Sequence, residues 1–500
     1  MQAWAFFRRS QVKLKVIISY PPLKTDKGCP TLGQNRQFQY FKEPTYIYPM
    51  VPASCATLLK SKGHEVLWND CISEGLNWGD FINFIMRNNP DLIAFETKTP
   101  VVKQHWSIVD QLKSIKPKVK CVLFGDHVTA LPEESFQNSK VDFVLCGGDY
   151  DFLLANLCEN LENNSKDFEP GIWYRDNDRL KNNGEFKLDH KLDSLPFIDR
   201  DLTKWKTYAY KNGNYKRLPG TYIMSGRDCW WGKCSFCSWP TLYPAFRNRS
   251  VGNVLDEIGE LITRYGVKEI MDDTGTFPVG DWLRNFCRGL IERGYNKKVA
   301  IDCNMRFGAL SREDYRLMKQ AGFRLLLFGL ESANQETLDR ISKNVTVGQI
   351  TESCKLAREE GLFPHITIMF GYPWEDYDDA LNTLNLGKWL LRKGYAYTMQ
   401  ATIVIPYPGS KIFQECKQNG WLKTLDWDRY DMKEPVMTVP FPEEKLMHLV
   451  QDIYRIAFNP EFLFNRFISI RDFYDLAYFF RAGLKVSGHI FDFSSKNNSN

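Results

Sequence analysis

The chain has 500 residues, of which 43% are hydrophobic and 25% charged, so it can form two or three globular domains with sizeable cores. Its formal net charge is only +5, and no basic block or basic helical face stands out, which argues against nucleic acid as a partner. The apolar runs fall short of the ~18 residues that span a bilayer, and the N-terminus lacks the pattern of a secretory signal.

These features predict a cytoplasmic protein without a membrane span. In that compartment the 13 cysteines are expected to be thiols or metal ligands rather than disulfides. A lone cysteine is most simply a core residue, as expected for Cys121, Cys303 and Cys354, so only clustered cysteines point to chemistry.

Strand-like and helical segments alternate over residues 1–162. The strand candidates lie at 15–19, 64–69, 91–96, 121–125 and 141–146, and helical patterns at 51–62 and 105–114 lie between them. This alternation is typical of an α/β fold with a doubly wound, Rossmann-like parallel sheet. Such sheets bind ligands at the carboxyl ends of their strands.

A polar stretch at residues 163–214 is rich in Asn, Asp and Lys and contains Asn182-Asn183-Gly184, which predicts a linker that carries a small hairpin. The alternation resumes over residues 215–430. Six strand candidates lie there, at 221–225, 269–272, 300–306, 325–330, 366–370 and 401–405. Six βα units predict a partial (βα)6 barrel.

Residues 431–500 are predicted to form a small helical C-terminal region, because Leu446, Leu449, Val450 and Ile453 recur at helical spacing. The tail that follows is aromatic, with Phe462, Phe464, Phe467, Phe473, Tyr474, Tyr478, Phe479 and Phe480. A packed helical cap is the simplest interpretation. An apolar substrate pocket and contact with a membrane surface are the alternatives.

Three cysteines, Cys229, Cys234 and Cys237, lie within nine residues directly after a predicted strand. A structural zinc site usually has four ligands, and the next cysteine and histidine are distant, at Cys287 and His365. Three thiolates leave one iron of a [4Fe–4S] cluster free to bind another molecule. We therefore predict such a cluster, with zinc and plain structural thiols as the alternatives.

The segment resembles the cluster loop of the radical S-adenosylmethionine (SAM) superfamily, which usually reads Cys-x3-Cys-x2-Cys. Here four residues, not three, separate Cys229 and Cys234, and Gly232 can absorb the extra residue because glycine tolerates unusual backbone angles. Phe236 stands where the family has an aromatic residue near the SAM adenine.

The resemblance continues at successive strand ends across residues 215–430. It implies that Asp272 and Asp273 accept the SAM ammonium and that Arg306 pairs with the SAM carboxylate, although a salt bridge at the barrel rim would equally explain Arg306. Glu331 and Ser332 correspond to the ribose-contacting strand end, with a helix N-terminal charge as the alternative for Glu331. Gly371 belongs to the segment whose backbone meets the adenine.

Residues 1–162 resemble the cobalamin-binding domain that precedes the barrel in one branch of this superfamily. The matching positions, implied to contact cobalamin, are Tyr20, Gly125, Asp126, His127, Thr129, Gly147 and Gly148. The Asp-x-His-x-x-Gly sequence that supplies a cobalt ligand is missing after the first strand. We therefore expect cobalamin without a histidine ligand, and the alternative is a related domain that has lost cobalamin.

The resemblance implies an enzyme with a [4Fe–4S] cluster, SAM and cobalamin, which cleaves SAM to a 5′-deoxyadenosyl radical and methylates an unactivated carbon of a small molecule. An electron donor such as flavodoxin or ferredoxin is implied. No catalytic side chain is singled out, since the cofactors carry the chemistry. A radical cyclase or rearrangement enzyme without methyl transfer, and a non-catalytic cobalamin- or SAM-binding module, are the alternatives.

Overall fold

The computed structural model describes residues 13–30, 38–41, 45–177, 179–213, 215–453, 455–456, 459–467, 470, 474–478 and 481. The chain divides into two compact units. The first consists of the residues up to Leu23 together with Val51–Lys98 and Lys103–Lys204. The second consists of Lys24–Met50, Thr99–Val102 and the residues from Trp205 onwards.

The strands of the described residues are, in chain order, β1 (Lys15–Tyr20), β2 (Cys29–Pro30), β3 (Tyr40–Phe41), β4 (Glu65–Asp70), β5 (Leu92–Glu96), β6 (Lys120–Phe124), β7 (Phe143–Leu145), β8 (Ile172–Asp176), β9 (Arg179–Asn182), β10 (Gly220–Ile223), β11 (Gly226–Arg227), β12 (Arg247–Asn248), β13 (Glu269–Asp272), β14 (Ala300–Met305), β15 (Phe323–Glu331), β16 (Phe363–Phe370) and β17 (Thr398–Ile403).

The α-helices are α1 (Met50–Ser61), α2 (Cys71–Glu74), α3 (Trp78–Asn88), α4 (Val102–Ile115), α5 (Asp126–Ala130), α6 (Pro132–Asn138), α7 (Tyr150–Glu162), α8 (Lys206–Ala209), α9 (Trp239–Leu242), α10 (Val251–Thr263), α11 (Asp281–Glu292), α12 (Arg312–Gln320), α13 (Gln335–Arg340), α14 (Val347–Glu359), α15 (Tyr377–Arg392), α16 (Lys411–Gln418), α17 (Glu443–Asp452) and α18 (Pro460–Phe467).

The first unit is built on a seven-stranded sheet in the order β4-β1-β5-β6-β7-β8-β9. The first five strands are parallel, and all five residues of β5 are buried, as expected for a parallel sheet covered on both faces. The strand order reverses between β1 and β5, which is where doubly wound sheets bind ligands. The predicted doubly wound parallel sheet is confirmed.

The predicted hairpin exists, but it extends the sheet instead of standing in a linker. Strand β8 pairs antiparallel with β7, and β9 pairs antiparallel with β8. Alternate residues of β8, Ile172 and Tyr174, are buried, so one of its faces packs on the core while the pair covers the edge that β7 would otherwise expose. The first compact unit accordingly runs to Lys204.

His190 fixes the segment after this hairpin. Its Nδ1 lies 3.2 Å from an Asp149 oxygen and its Nε2 lies 3.1 Å from a Glu169 oxygen, while its ring stacks on Phe152 at 4.2 Å. The two carboxylates raise the pKa of His190 to about 9. A charged imidazole therefore holds this segment against the start of α7.

We expect this contact to make stability depend on pH. Because the folded-state pKa of His190 lies above its ordinary value of 6.5, its contribution is complete below pH 6.5 and is lost as the pH rises through 9. The urea midpoint of unfolding should therefore fall more between pH 6.5 and 9 for the unsubstituted protein than for His190→Gln. Parallel pH profiles for the two proteins would contradict this assignment.

The second unit contains a six-stranded parallel sheet in the order β10-β13-β14-β15-β16-β17. Helices connect successive strands, so the predicted succession of six βα units is confirmed. At the start of these strands Arg324 pairs with Glu269 at 2.8 Å and with Asp302 at 2.6 Å, and all three side chains are buried. The carboxyl ends of the strands form the opposite edge of the sheet, where the site lies.

The described part of the C-terminal region contains the helices α17 and α18. Leu446, Leu449, Val450 and Ile453 are all buried, and Tyr478 packs with Leu325 and Tyr397. By contrast, Phe464 and Phe467 are exposed. The predicted tail aromatics Phe473, Phe479 and Phe480 lie outside the described residues. None of the helices within the described residues combines the length and apolar character of a membrane span.

Candidate active site

The three clustered cysteines lie at the carboxyl-end edge of the second sheet. Cys229 forms a backbone bridge with Thr276, just beyond β13, and its Sγ lies 3.1 Å from Thr276 Oγ1. Cys229, Cys234 and Cys237 are all partly exposed, whereas nine of the other ten cysteines are buried. The expectation that Cys121, Cys303 and Cys354 are core residues is confirmed.

Gly232 accommodates the four-residue spacing of the loop. It adopts φ +58°, a left-handed conformation that L side chains rarely adopt. A Cβ there would lie 3.3 Å from the Cys229 carbonyl oxygen. Glycine thus allows the chain to turn between Cys229 and Cys234 with one residue more than the family pattern.

The donor set suits a cluster better than a single ion. Among the described residues no three His, Cys, Asp or Glu side chains converge as they would around one metal ion, whereas a [4Fe–4S] cluster binds each thiolate to a different iron. Burial raises the pKa of the Cys234 thiol, and the charges of Lys343 and Arg306 oppose that rise. Cations next to the sulfurs favour anionic thiolate ligands.

Glu331 and Lys343 form an ion pair beside the cysteines. Lys343 Nζ donates to Glu331 Oε1 at 2.7 Å, and the two side chains are only 11% and 7% exposed. Glu331 adopts φ +63° at an irregularity in the pairing of β15 with β16. A Cβ on Gly329 would collide with the Glu331 carboxylate and the Lys343 ammonium, so a side chain at that position would displace the pair.

Ser332 continues the strand end and is held by a residue that the sequence analysis missed. Its Oγ donates to Glu375 Oε1 at 2.6 Å, and Asn334 Nδ2 donates to the same oxygen at 3.1 Å. The other Glu375 oxygen and the Tyr372 hydroxyl are buried without a hydrogen-bond partner among the described residues. Burial raises the pKa of both groups.

Gly371 precedes Tyr372 in the loop after β16. It has φ +93°, and a Cβ there would lie 3.2 Å from a Leu446 side-chain carbon. The centre of the Phe236 ring lies 5.8 Å from Lys343 Nζ. The structure thus brings Phe236 near the Glu331–Lys343 pair.

Asp272 binds its own neighbours. Its carboxylate accepts hydrogen bonds from the backbone N–H groups of Ser225 and Thr274, at 3.2 and 3.0 Å, and from the Ser225 hydroxyl. It therefore ties the end of β13 to the residues after β10. Asp273 is also buried, and its backbone N–H donates to the Ile223 carbonyl at 2.9 Å.

Arg306 donates hydrogen bonds to the backbone of residues 343–344. Its guanidinium donates to the carbonyl oxygens of Lys343 and Asn344 and lies 4.1 Å from the centre of the Trp231 ring. Burial lowers the pKa of Arg306. The guanidinium is thus held by carbonyl groups and an aromatic face.

In the first unit the predicted loops meet at the strand ends. Thr129 Oγ1 donates to the Gly125 carbonyl at 2.7 Å and accepts from the Gly147 N–H at 3.1 Å, which ties the two loops together. A Cβ on Gly125 would collide with the Thr97 carbonyl oxygen, and one on Gly147 would collide with the Phe186 ring. Packing within the protein thus already requires glycine at both positions. Gly148 follows in the same buried loop.

His127 points towards the helices. Its ring is fully buried, with Nε2 3.0 Å from a Glu134 oxygen and the Trp106 ring at 6.2 Å. Asp126 accepts the His127 backbone N–H at 2.7 Å, and so stabilises the first turn of α5. The sequence offered no sign of the Glu134 contact.

Polar groups gather where β1 and β5 end. Tyr20 and Tyr150 both donate hydroxyl hydrogen bonds to the buried Glu96 carboxylate, whose pKa is raised by burial. His105 Nδ1 lies 2.7 Å from Thr97 Oγ1, and its Nε2 is buried with no partner in the described part of the chain. An orphaned nitrogen and a carboxylate with unused acceptor capacity suit a ligand that carries amide and hydroxyl groups.

Comparison with known proteins agrees with this geometry. The sequence profile of the Radical SAM superfamily matches residues 223–387. A Pyrococcus horikoshii protein named uncharacterized methyltransferase PH0819 is 26% identical over 429 residues, which are 81% of this chain and 86% of that protein. An anaerobic magnesium-protoporphyrin IX monomethyl ester cyclase of Cereibacter sphaeroides is 23% identical over 421 residues, covering 82% and 67%.

The fold also has a solved counterpart. The radical SAM methyltransferase TsrM of Kitasatospora setae, with cobalamin and a [4Fe–4S] cluster bound, has a TM-score of 0.66 at 14% identity, covering 95% of this chain and 99% of its own. The matched residues 223–387 contain the three cysteines and the Glu331–Lys343 pair. Residues 223–387 therefore carry a domain that matches the Radical SAM superfamily.

Proposed function

We propose that this chain is a cobalamin-dependent radical SAM enzyme that methylates an unactivated carbon of a small molecule. The observation that carries the proposal is the set of three partly exposed cysteines at the strand-end edge of the second sheet, where Glu331 and Lys343 form a buried pair. The comparisons support the remainder, since one relative is named a methyltransferase and the TsrM structure holds cobalamin and a cluster.

Cys229, Cys234 and Cys237 hold the [4Fe–4S] cluster, and the nearby cations Lys343 and Arg306 stabilise the Cys234 thiolate. When bound, the cluster supplies the electron for reductive cleavage of SAM, and cobalamin supplies the methyl group for transfer. The protein contributes binding, orientation and exclusion of water.

The strand-end residues bind SAM in this proposal. Glu331, aligned by Lys343, accepts hydrogen bonds at the ribose, and Ser332, whose hydroxyl donates to Glu375, holds the strand end there. The backbone around Gly371 and the ring of Phe236 contact the adenine. Asp272 acts through the loop that it orders, and Asp273 remains the candidate acceptor for the SAM ammonium.

The test of the function is anaerobic reconstitution with iron, sulfide and cobalamin, followed by incubation with SAM and a reductant. We expect 5′-deoxyadenosine to form, and the variant in which Cys229, Cys234 and Cys237 are all replaced by Ala is the matched negative control. A reconstituted protein that retains the cluster and binds SAM but forms no 5′-deoxyadenosine would favour the non-catalytic binding module.

Cobalamin binds in this proposal at the carboxyl ends of β1, β5 and β6, where Tyr20 and the loops at Gly125 and Gly147 lie. Glu96, with its unused acceptor positions, suits the amide donors of a corrin, and His127 stays with Glu134.

We expect cobalamin to bind without a histidine ligand to cobalt. The loop after β1 has no histidine, and the His127 ring is occupied by Glu134. The electron paramagnetic resonance spectrum of the cobalt(II) form should therefore lack nitrogen coupling, in the unsubstituted protein and in His127→Ala alike. Nitrogen coupling that disappears in His127→Ala or in His105→Ala would contradict this and identify the ligand.

A radical cyclase without methyl transfer is the second candidate. It is favoured by the likeness to the Cereibacter sphaeroides cyclase, which covers 82% of this chain. The two candidates differ in the fate of the methyl group. Transfer of a labelled methyl group from SAM to cobalamin during turnover supports the methyltransferase, and turnover without label on cobalamin or product supports the cyclase.

The proposal also names an electron donor and a cellular location. The cluster needs an external electron, for which flavodoxin or ferredoxin is the expected donor, and the expected site of action is the cytoplasm. Reduction of the reconstituted cluster by either donor, followed in the visible spectrum, tests the first of these expectations.

A further inference from the structure

Trp231 stands in the cluster loop, which has one residue more than the family pattern between its first two cysteines. It is half-buried. Its indole N–H donates to the Ser342 carbonyl oxygen at 2.9 Å. The Arg306 guanidinium carbon lies over its ring, 4.1 Å from the ring centre. The cluster loop is therefore attached, through one side chain, to a segment more than 100 residues away in sequence.

The segment that Trp231 reaches has an unusual backbone. Ser342 and Asn344 both adopt left-handed angles, at φ +56° and +50°. Left-handed angles cost free energy in residues other than glycine and persist only where surrounding contacts fix them. Those contacts are hydrogen bonds to three consecutive carbonyl groups. Trp231 donates to the first, and Arg306 donates to the second and third.

Lys343 lies between these two left-handed residues. Its backbone carbonyl is held by Arg306, and its ammonium reaches Glu331 at 2.7 Å. The direction of the Lys343 side chain therefore depends on the backbone that Trp231 and Arg306 fix. Arg306 uses its Nη2 group for this task, so one end of its guanidinium orders the segment.

We infer that Trp231, in the cluster loop, is a positioning residue that fixes the location of the Glu331–Lys343 pair. This inference rests on the proposed function, since it assigns the pair to the SAM site. Seating the three cysteines around their cluster then fixes the Trp231 ring, the ring and Arg306 fix the 342–344 backbone, and that backbone places Lys343. Trp231 thus links the cluster loop to the groups that hold SAM.

The test measures SAM affinity by anaerobic equilibrium dialysis on reconstituted protein, with iron content determined on the same samples. Trp231→Leu removes the indole N–H and the ring face, and we expect it to weaken SAM binding about 10-fold, as for a lost charged hydrogen bond, while iron content stays unchanged. Trp231→Phe keeps an aromatic ring next to Arg306, so its SAM affinity should lie between those of Trp231→Leu and the unsubstituted protein.

Trp230 provides the matched control in the same loop. It is also half-buried, and its indole N–H also donates to a backbone carbonyl, that of Phe277, at 3.1 Å. Because this bond goes to Phe277 and not to the 342–344 backbone, Trp230→Leu should bind SAM with the affinity of the unsubstituted protein. If Trp231 acts through Lys343, its substitution should have no effect once Lys343 is absent. In a Lys343→Met background, Trp231→Leu should therefore cause no further loss of SAM affinity.

Equal SAM affinities for the unsubstituted protein and both Trp231 variants would overturn this inference alone. So would a Trp231→Leu effect that is equally large in the Lys343→Met background. If Trp231→Leu loses iron, the Trp231→Phe comparison decides the question. Failure of the unsubstituted protein to bind iron and SAM would instead overturn the proposed function and the inference together.

Discussion

Replacing Cys229, Cys234 and Cys237 together by Ala is expected to abolish iron binding. The reconstituted protein should hold about four irons per chain and show broad charge-transfer absorption from thiolate-bound iron. The triple variant should show neither, because the other described donors do not converge around a metal. The measurement is iron and sulfide content with the visible spectrum after anaerobic reconstitution.

Cys29 provides the control for this experiment, since it is the other cysteine that is partly exposed and it lies far from the cluster loop in sequence. Cys29→Ala should retain the full iron content and spectrum. Stoichiometric zinc without iron in anaerobically prepared protein would contradict the cluster. Loss of iron in Cys29→Ala to the same extent as in the triple variant would show that the readout reports general thiol chemistry.

The sequence predicted the fold because its patterns are local. Each strand of both sheets is a short β-branched or apolar run, and the alternation with helices determines parallel pairing. The exception is the segment at 163–214, whose polar composition indicated a linker. Only alternate residues of β8 are buried and none of β9 is, so composition alone could not reveal that β8 pairs with the edge of β7.

The site was predicted only as far as short motifs reach. The cysteine spacing and the strand-end position of Glu331 can be read from the sequence, but Lys343 lies 12 residues further on and carries no motif. Its role depends on the left-handed angles around it. Glu375 was missed for a similar reason, because its contact with Ser332 spans 43 residues and depends on a turn after β16.

Arg306 has contacts that its residue type does not indicate. An arginine at a strand end suggests a partner for a carboxylate, which stays a prediction, and the structure adds contacts with the carbonyl groups of Lys343 and Asn344 and the ring of Trp231. No pattern of residues near Arg306 in sequence encodes these contacts. They arise where three distant segments meet, which is information that only the folded chain holds.

Glu331→Ala is expected to weaken SAM binding strongly while iron content is preserved. Loss of one charged hydrogen bond costs about 1.5–3 kcal/mol, which corresponds to roughly 10- to 100-fold in affinity. The carboxylate also keeps the Lys343 ammonium paired at 2.7 Å in a buried position, and removing one partner of a buried pair leaves an uncompensated charge. The measurement is equilibrium dialysis of SAM against reconstituted protein.

Two further variants separate the contribution of charge from that of shape. Glu331→Gln keeps the size and one acceptor oxygen, so it should fall between Glu331→Ala and the unsubstituted protein. Lys343→Met removes the partner and leaves Glu331 as the unpaired charge, so it should also weaken SAM binding. If both Glu331 variants bind SAM with the unsubstituted affinity while remaining folded and loaded with iron, Glu331 does not contact SAM, and its pairing with Lys343 is purely structural.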